Sequence, residues 1–436
     1  MVRQGAKAVT PRLRFPGFRG AEPWSPRRLI GLADKRVKWS FSGGPFGSNL
    51  KASDYASDGV RIIQLQNIGD GEFLSDYKIY TSTSKADELQ SCNIYPGEIL
   101  LSKMGDPVGR ACIVPESESR YVMCSDGIRL VVDEKHFSRD FVFFAINFDS
   151  FRRRVEAAST GSTRKRIGLD VLKQLPLDIP QLAEQQKVAA CLTSLDEVIA
   201  AQARKVEALK VHKRGLMQQV FPRGGETRPR LRFPEFRNAP EWRQAVLGDV
   251  STIVRGGSPR PIDEFLTEEA DGLNWLKIGD VDREAKYITA TEEKVRVEAL
   301  SKTRVIRPGD FILSNSMSFG RPYISAIDAC IHDGWIAVTR IHKTVVHEFL
   351  YYSLLSERSQ TYFANQAAGS GVQNLNRDII RLLTVAVPSE REQQRIADCL
   401  SSLDTRITAE TARLATLRTH KQGLMQQLFP AREVLA

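Results

Sequence analysis

EQQKVAACLTSLD at residues 184–196 recurs almost unchanged as EQQRIADCLSSLD at residues 392–404. Further along each copy, HKRGLMQQVFP at residues 212–222 matches HKQGLMQQLFP at residues 420–430. The copies lie about half the chain apart, which is far longer than the period of any solenoid repeat. The sequence therefore predicts a single duplication, in which both halves of the chain end in the same kind of segment.

The part upstream of each copy begins with a second repeated stretch. PRLRFPGFRGAEPW at residues 11–24 recurs as PRLRFPEFRNAPEW at residues 229–242. The intervening sequences diverge, but each keeps a Gly-Gly pair and a PG-acid turn before an apolar run, PGEILLS at 96–102 and PGDFILS at 308–314. Short apolar runs bounded by Gly, Pro, Asn and Asp predict strand-rich domains of mixed α/β type.

The repeated segments themselves have the pattern of long helices. Apolar residues follow alternating steps of four and three in both copies, with breaks at Gln202 and Lys213 in the first and at Glu410 and Lys421 in the second. Each helix could simply pack against its own domain, but the matched length and phase favour two helices that pair with each other as a coiled coil. The predicted helix-pairing residues are Val188, Leu192, Leu195, Ile199, Val206, Leu209, Leu216, Ile396, Leu400, Leu403, Ile407, Leu414, Leu417 and Leu424.

Such a pair could be parallel or antiparallel. The antiparallel arrangement relates the halves by an approximate two-fold axis and puts the domains at opposite ends of a rod about 57 Å long. The predicted fold class is therefore α+β, with two strand-rich mixed α/β domains joined by two long antiparallel coiled-coil helices in a pseudo-two-fold internal duplication. The predicted boundaries are residues 1–179 and 229–387 for the domains and residues 180–228 and 388–436 for the helices.

The composition narrows the class of partner. The chain has 62 Lys and Arg residues against 52 Asp and Glu, a formal charge of +10 that attracts polyanions such as nucleic acid or an anionic membrane. A membrane partner is less favoured, because no apolar run approaches the roughly 20 residues that cross a bilayer, and the first residues do not resemble a secretory signal. We therefore expect a cytoplasmic protein.

The cysteines and histidines do not indicate a metal site or a disulfide framework. The six cysteines form no CxxC pair, and the six histidines form no metal-binding motif. The sequence therefore predicts reduced, mostly buried thiols.

Two similar domains held at a set separation in a basic protein suit two half-sites on one double-stranded DNA. Because the domains share few residues, the half-sites should differ. Base edges in the major groove are read by Arg, Lys, Asn and Gln on loops. The candidate DNA-binding residues are Lys51, Gln64, Gln66, Asn67, Lys103, Arg110, Arg164, Lys165, Arg166, Arg255, Arg260, Lys277, Asn315, Arg321, Gln373 and Asn374.

A basic run in the first half is a candidate for phosphate contacts. Residues 151–173 hold seven basic residues against two acidic ones, whereas the matching stretch of the second half holds Arg377 and Arg381 with Asp378. Each neutralised phosphate releases counterions, so binding through this run should weaken steeply with salt. The alternative is that the run is an ordinary solvated face.

Over essentially its whole length, the chain resembles the specificity subunit of type I restriction-modification systems. The resemblance rests on the repeated RLRFP-x-F-R segment with its following Trp, the Gly-Gly loop, the PG-acid turn, GSTRKRI at 161–167, and the helix starts PQLAEQQ at 180–186 and PSEREQQ at 388–394. It implies two target recognition domains, and helices that pair antiparallel and dock the modification subunits. The second half has GSGVQNL at 369–375 in place of GSTRKRI and departs from the family pattern there.

The resemblance also implies a bipartite, asymmetric DNA target and a chain without catalysis or cofactor of its own. S-adenosylmethionine, ATP and Mg²⁺ are expected on the partners, which are methyltransferase (modification) subunits, two of them, and restriction/translocase subunits. The sequence agrees, because it has neither a P-loop nor an NPPY-like tetrapeptide. Two other interpretations stay open: a coiled-coil scaffold that does not bind DNA, and a magnesium-dependent nuclease using Asp263, Glu284 and Lys286.

Overall fold

A computed structural model describes residues 8–315, 320–368 and 375–430 of the chain. Within these residues the chain divides into two compact units, bounded as Met1–Gln202 with Arg413–Ala436 and as Ala203–Ala412. Each unit therefore combines one strand-rich domain with about half of each long helix. Strand gives way to a long helix between Ile179 and Leu182 and again between Val387 and Glu390, and each compact unit contains parts of both long helices.

The first unit contains the first domain and the beginning of the first long helix. Its strands are β1 (Ser25–Arg28), β2 (Phe41–Gly43), β3 (Tyr55–Ala56), β4 (Val60–Ile63), β5 (Ile79–Thr81), β6 (Asn93–Ile94), β7 (Ile99–Ser102), β8 (Ala111–Ile113), β9 (Tyr121–Met123), β10 (Gly127–Leu130) and β11 (Pro176–Ile179). Its helices are α1 (Thr83–Glu88), α2 (Arg139–Asn147), α3 (Asp149–Ala157), α4 (Leu169–Gln174) and the start of α5 (Leu182–Val220).

The second unit contains the second domain, the end of α5 and the beginning of the second long helix. Its strands are β12 (Arg243–Val246), β13 (Thr252–Arg255), β14 (Leu266–Thr267), β15 (Leu273–Leu276), β16 (Tyr287–Ile288), β17 (Glu293–Val295), β18 (Arg304–Ile306), β19 (Phe311–Ser314), β20 (Pro322–Ser325), β21 (Ala329–Ile331), β22 (Trp335–Thr339) and β23 (Thr384–Val387). Its helices are α6 (Leu247–Val250), α7 (His347–Leu355), α8 (Glu357–Ala368), α9 (Arg377–Arg381) and the start of α10 (Glu390–Leu428).

The sheets of the two units share one topology. The first unit has an antiparallel sheet in the order β2-β10-β7-β8 and a mixed sheet in the order β3-β5-β4-β9-β6. The second unit repeats these orders as β13-β22-β19-β20 and β14-β17-β15-β21-β18, and it adds β16 beside β20. In each unit a separate antiparallel pair, β1-β11 or β12-β23, joins the two ends of the domain. This agreement confirms the predicted duplication at the level of topology.

The apolar runs after the PG-acid turns are strands with both faces buried. In β7, Ile99 and Leu101 face the helices and Leu100 faces the mixed sheet. In β19, Phe311 and Leu313 face the helices, whereas Ile312 belongs to a separate cluster. Alternate side chains of a strand point to opposite faces, so a strand between two cores is apolar at every position.

Within the first unit, the start of α5 and the end of α10 run antiparallel. Lys421 Nζ lies 2.6 Å from a carboxylate oxygen of Asp196. The backbone amide of Leu13 donates to the carbonyl of Gln427 at 3.0 Å, which ties the repeated RLRFP segment to the end of α10. Phe429 lies in the core of this unit.

Within the second unit, the same arrangement recurs between the end of α5 and the start of α10. Lys213 Nζ lies 2.5 Å from Asp404 Oδ1, and Lys205 pairs with Glu410. Lys213 and Lys421 are two of the four breaks in the apolar stripe, and in each unit this lysine forms an ion pair with an aspartate of the other helix.

The predicted helix-pairing residues are all buried or half-buried, and they do not all serve the same contact. Val188 and Leu192 belong to the core of the first domain, and Ile396 and Leu400 to the core of the second. The remainder are Leu195, Ile199, Val206, Leu209, Leu216, Leu403, Ile407, Leu414, Leu417 and Leu424. The start of each helix thus also packs against its own domain, which was the alternative to pure pairing.

The six cysteines are free, and four of them are buried, as the sequence predicts. Burial raises the pKa of the Cys124 thiol to about 11, so this thiol is uncharged at neutral pH. Among the described residues, no helix is both long enough and apolar enough to span a bilayer.

Candidate nucleic-acid interface

Loops of the first unit meet at one end of the antiparallel sheet. The Gly44 amide donates to the carbonyl of Gly127 at 2.9 Å, and the Lys103 amide donates to the carbonyl of Asp126 at 2.6 Å. The amide of Ile167 donates to the carbonyl of Lys103 at 3.0 Å. These bonds bring residues far apart in the sequence onto one surface. We call it the first loop edge, and it comprises residues 44–51, 103–110, 124–127 and 160–167.

The Gly-Gly pair is explained by a close approach of two backbones. A Cβ atom on Gly44 would lie 1.7 Å from the carbonyl oxygen of Cys124. In the second unit, a Cβ atom on Gly256 would lie 2.2 Å from the carbonyl oxygen of His332. No side chain fits at either position, so glycine is needed in both halves although the neighbouring sequence differs.

Predicted contact residues on the first loop edge have exposed or half-buried side chains. Arg166 Nη2 donates to Asp126 Oδ1 at 2.9 Å, and Lys165 pairs with Glu156. The carboxylate of Asp126 thus holds one guanidinium group at the surface. The predicted residues on this edge are Lys51, Lys103, Arg110, Arg164, Lys165 and Arg166.

Gln64 and Gln66 lie just after β4, beside the same edge. The amide of Cys124 donates to the carbonyl of Ile63 at 2.9 Å, which places the end of β4 next to residues 124–127. Gln64 is half-buried and its Nε2 lies 3.4 Å from the hydroxyl of Tyr55, whereas Gln66 is exposed. Gln66 is the freer of the two to meet a ligand.

Two predicted contact residues are used by the fold. Asn67 is fully buried, and its Nδ2 donates to the carbonyls of Leu74 at 2.8 Å and Tyr77 at 2.9 Å. Both donors of its amide are therefore occupied, and the prediction that Asn67 reads a base edge is wrong. Arg110 Nε donates to the carbonyl of Ile68 at 2.5 Å, so this arginine also serves to hold a loop.

The basic run at residues 151–173 is likewise not one continuous surface. Arg152 pairs with Asp70 through a side chain that is only 10% exposed, and burial lowers the pKa of its guanidinium to about 10. Arg154 donates to the carbonyl of Pro176 at 2.8 Å. These two arginines stabilise the domain, so residues 164–166 are the cluster that faces solvent on the loop edge.

The second unit has an equivalent edge. The Gly256 amide donates to the carbonyl of Trp335 at 2.9 Å, and the Asn315 amide donates to that of Gly334 at 3.0 Å. Ser258 Oγ donates to Asp333 Oδ1 at 3.0 Å. We call this surface the second loop edge, and it comprises residues 255–261, 315 and 331–334.

Arginines and an aspartate dominate the second loop edge. Arg255 is exposed and its Nε donates to the backbone carbonyl of Asp333 at 3.2 Å. Arg260 has a side chain that is 83% exposed and lies 3.8 Å from the Asp333 carboxylate. Asn315 is buried, and its Nδ2 donates to the same carbonyl at 3.2 Å, so one of its two amide donors is used by the fold.

The remaining predictions for the second unit include Lys277 and Arg321. The amide of His332 donates to the carbonyl of Leu276 at 3.2 Å, which places Lys277 beside the second loop edge. Lys277 Nζ lies 2.7 Å from Glu293, and this hydrogen bond raises the pKa of the lysine. Arg321 is half-buried, with its guanidinium 5.9 Å from the ring centre of Tyr323. Gln373 and Asn374 lie outside the described residues.

Sequence reasoning missed three residues of the loop edges. Asp126 and Asp333 lie in Asp-Gly turns before β10 and β22, one residue apart in register, and each lies beside an arginine at the surface. Phe46, in the loop after the first Gly-Gly pair, is 82% exposed. The search for Arg, Lys, Asn and Gln left them out, although the recurrence of Asp-Gly in both halves was a readable signal.

The residues of the nuclease interpretation have other surroundings. Lys286 pairs with Glu348, and its Nζ lies 4.9 Å from the ring centre of Tyr351 and 5.0 Å from that of Tyr352. Glu284 is exposed. Among the described residues no group of three His, Cys, Asp or Glu side chains is arranged to hold a metal ion. Lys286 thus packs against α7 of the second domain.

Comparison with known proteins identifies the family. The family model described as the type I restriction modification DNA specificity domain matches residues 58–211 and 240–419, well over half of the chain. The chain belongs to this family. The duplicated domains are therefore target recognition domains, and the two loop edges lie one on each of them.

Individual relatives and solved structures agree with this. The type I restriction enzyme MjaVIII specificity subunit of Methanocaldococcus jannaschii is 22% identical over 344 residues, covering 76% of this chain and 75% of the relative. The crystal structure of a type I restriction-modification S subunit from M. genitalium has 16% identity and a TM-score of 0.57, covering 97% of this chain and all of that one. A chain from a structural study of type I system assembly and conformational transition has 17% identity and a TM-score of 0.59, covering 93% and 97%. These structures support the fold.

Proposed function

We propose that this chain selects an asymmetric bipartite DNA target for a type I restriction-modification complex. Each target recognition domain reads one half-site, and the paired helices set the spacer between them. The observation that carries this proposal is the construction of the same loop edge twice, around the same Gly-Gly close approach, with different side chains on each. One scaffold presenting two chemistries suits two unlike half-sites.

The helix contacts support a two-fold relation. Lys421 pairs with Asp196 in the first unit and Lys213 with Asp404 in the second, and these are equivalent positions of the repeat. A pseudo-two-fold chain offers two similar surfaces to two copies of a partner. We therefore propose that it docks two methyltransferase subunits, together with restriction/translocase subunits, in the cytoplasm.

The chemistry belongs to those partners in this proposal. S-adenosylmethionine, ATP and Mg²⁺ are held by the methyltransferase and restriction subunits, and this chain contributes only the choice of sequence. Its contribution to affinity is mainly electrostatic, through the exposed residues 164–166 and Arg260, so binding falls with rising salt.

The decisive experiment exchanges one domain. The chain is co-expressed with its methyltransferase partner, and methylated motifs are mapped by single-molecule sequencing. Replacing residues 25–178 with the corresponding domain of another family member should change one half-site and leave the other half-site and the spacer unchanged. A change in both half-sites, or in neither, contradicts the proposal.

A second experiment tests the spacer. Four residues, about 6 Å of helix, are inserted at matched positions in α5 and α10. The preferred spacer should widen by about one or two base pairs. An unchanged spacer in an assembled, active complex contradicts the role of the helices.

A further inference from the structure

The loop after each Gly-Gly pair projects one largely exposed side chain. In the first unit the buried Pro45 is followed by Phe46, and in the second the buried Pro259 is followed by Arg260. Pro45 directly follows Gly44, and Pro259 lies three residues after Gly256, so a buried proline anchors each loop against its domain. The side chain that follows is therefore displayed from a fixed point.

Both displayed side chains are largely exposed to solvent. Phe46 is 82% exposed, although a phenyl ring is normally among the most buried side chains. Its carbonyl accepts a hydrogen bond from the Asn49 amide at 2.8 Å, so the turn that carries it is closed. A ring left in water on an ordered turn contributes little to folding, which points to a role in binding.

Arg260 has the matching exposure with the opposite chemistry. Its side chain is 83% exposed, and its nearest acid, Asp333, lies 3.8 Å away. The same carboxylate accepts a hydrogen bond from Ser258 at 3.0 Å, which keeps it in position. Asp333 therefore biases the direction of the guanidinium without covering it.

We propose that Phe46 and Arg260 are sequence-discriminating residues, one for each of the two half-sites. Phe46 contacts the methyl group of a thymine in the half-site of the first domain, and Arg260 donates two hydrogen bonds to O6 and N7 of a guanine in the other half-site. This inference rests on the proposed function and makes it specific. The loop after the Gly-Gly pair thus reads an apolar feature in one half and a pair of acceptors in the other.

The test uses the complex with its methyltransferase partner and maps methylated motifs for two variants. Phe46→Ala should relax the requirement for thymine at one position of the first half-site only. Arg260→Ala should reduce discrimination for guanine at one position of the second half-site only, on the order of 10- to 100-fold.

The chain offers matched controls. Tyr95 and Arg307 precede the PG-acid turns at the other ends of β7 and β19, and both are exposed. Tyr95→Ala removes an exposed aromatic ring from the first domain, and Arg307→Ala removes an exposed arginine from the second. Neither variant should alter the motif.

Modified duplexes then test the chemistry itself with purified complex. Deoxyuridine in place of the thymine removes only the methyl group, and 7-deazaguanine removes only N7. Each should weaken binding of the unmodified protein several-fold. Deoxyuridine should have no further effect on the Phe46→Ala complex, and 7-deazaguanine none on the Arg260→Ala complex.

The outcomes distinguish a failure of this inference from a failure of the proposed function. A split motif that is unchanged in both variants overturns this inference and leaves the proposed function standing. Equal losses from the modified bases in variant and unmodified protein overturn the assigned contacts. A complex that methylates no split motif overturns the proposed function, and this inference with it.

Discussion

Removing the carboxylate of Glu184 should open the junction between residues 11–24 and α5. Arg14 and Glu184 form a two-point ion pair, with Nε to Oε1 at 2.8 Å and Nη2 to Oε2 at 2.5 Å. Their side chains are 5% and 2% exposed, and Trp24 Nε1 donates to the same carboxylate at 3.2 Å. The hydrogen bond raises the pKa of Arg14, so this arginine stays charged at every accessible pH.

The size of the expected free-energy loss follows from the burial of the Arg14–Glu184 ion pair. Glu184→Ala leaves a charged guanidinium with only the backbone carbonyls of Ala21 and Glu22 as partners. Removing one member of a buried ion pair costs about 3–5 kcal/mol. Local opening at this junction should become about 150- to 5,000-fold more frequent.

Hydrogen exchange measured by mass spectrometry resolves the effect by segment. Glu184→Ala should accelerate exchange in residues 11–24 and leave residues 229–242 unchanged. The equivalent variant Glu392→Ala should do the reverse, because Glu392 binds Arg232 and Trp242 in the same way.

A double replacement tests whether the unpaired charge is the cause. Arg14→Met with Glu184→Met removes both charges and keeps apolar volume, so exchange should return towards the rate of the unmodified protein. An increase below tenfold for Glu184→Ala, or an undiminished effect in the double variant, refutes the reasoning.

Three further substitutions test other contacts of the structure. Lys213→Glu opposes Asp404 and should destabilise the second unit by about 1.5–3 kcal/mol in urea denaturation, whereas adding Asp404→Lys should restore most of the loss. Arg164→Ala should lower the slope of log Kd against log salt by about 1, and an unchanged slope would remove this residue from the phosphate contacts. Gly44→Ala forces a methyl group onto the carbonyl of Cys124 and should cost about 1–3 kcal/mol while abolishing recognition of one half-site; normal recognition would contradict the close approach.

The large features of the fold could be predicted from the sequence because they depend on local periodicity. The apolar stripe predicts helices from about residue 184, and α5 and α10 begin at Leu182 and Glu390. The Gly-Gly pairs and PG-acid turns lie at the ends of corresponding strands in the two units. Each of these patterns is set by backbone geometry that recurs wherever the pattern does.

The individual contacts could not be predicted in the same way. Gln64 and Asn67 lie within one turn of chain, yet Gln64 is half-buried near the surface and Asn67 is fully buried with its amide bonded to backbone. Both residues carry a side-chain amide. Which side chain faces solvent depends on the strands that approach from elsewhere in the chain.

By itself, the sequence determined the duplication, the two long helices and the family to which the chain belongs, because repeats and periods are properties of order along the chain. Only the tertiary structure decided which loops share an edge, that Lys213 and Lys421 break the stripe to form ion pairs, and that Phe46 and Arg260 project from the loops after the Gly-Gly pairs. These outcomes depend on hydrogen bonds and burial between residues distant in sequence, and the direction of a side chain is a property of its neighbours in space.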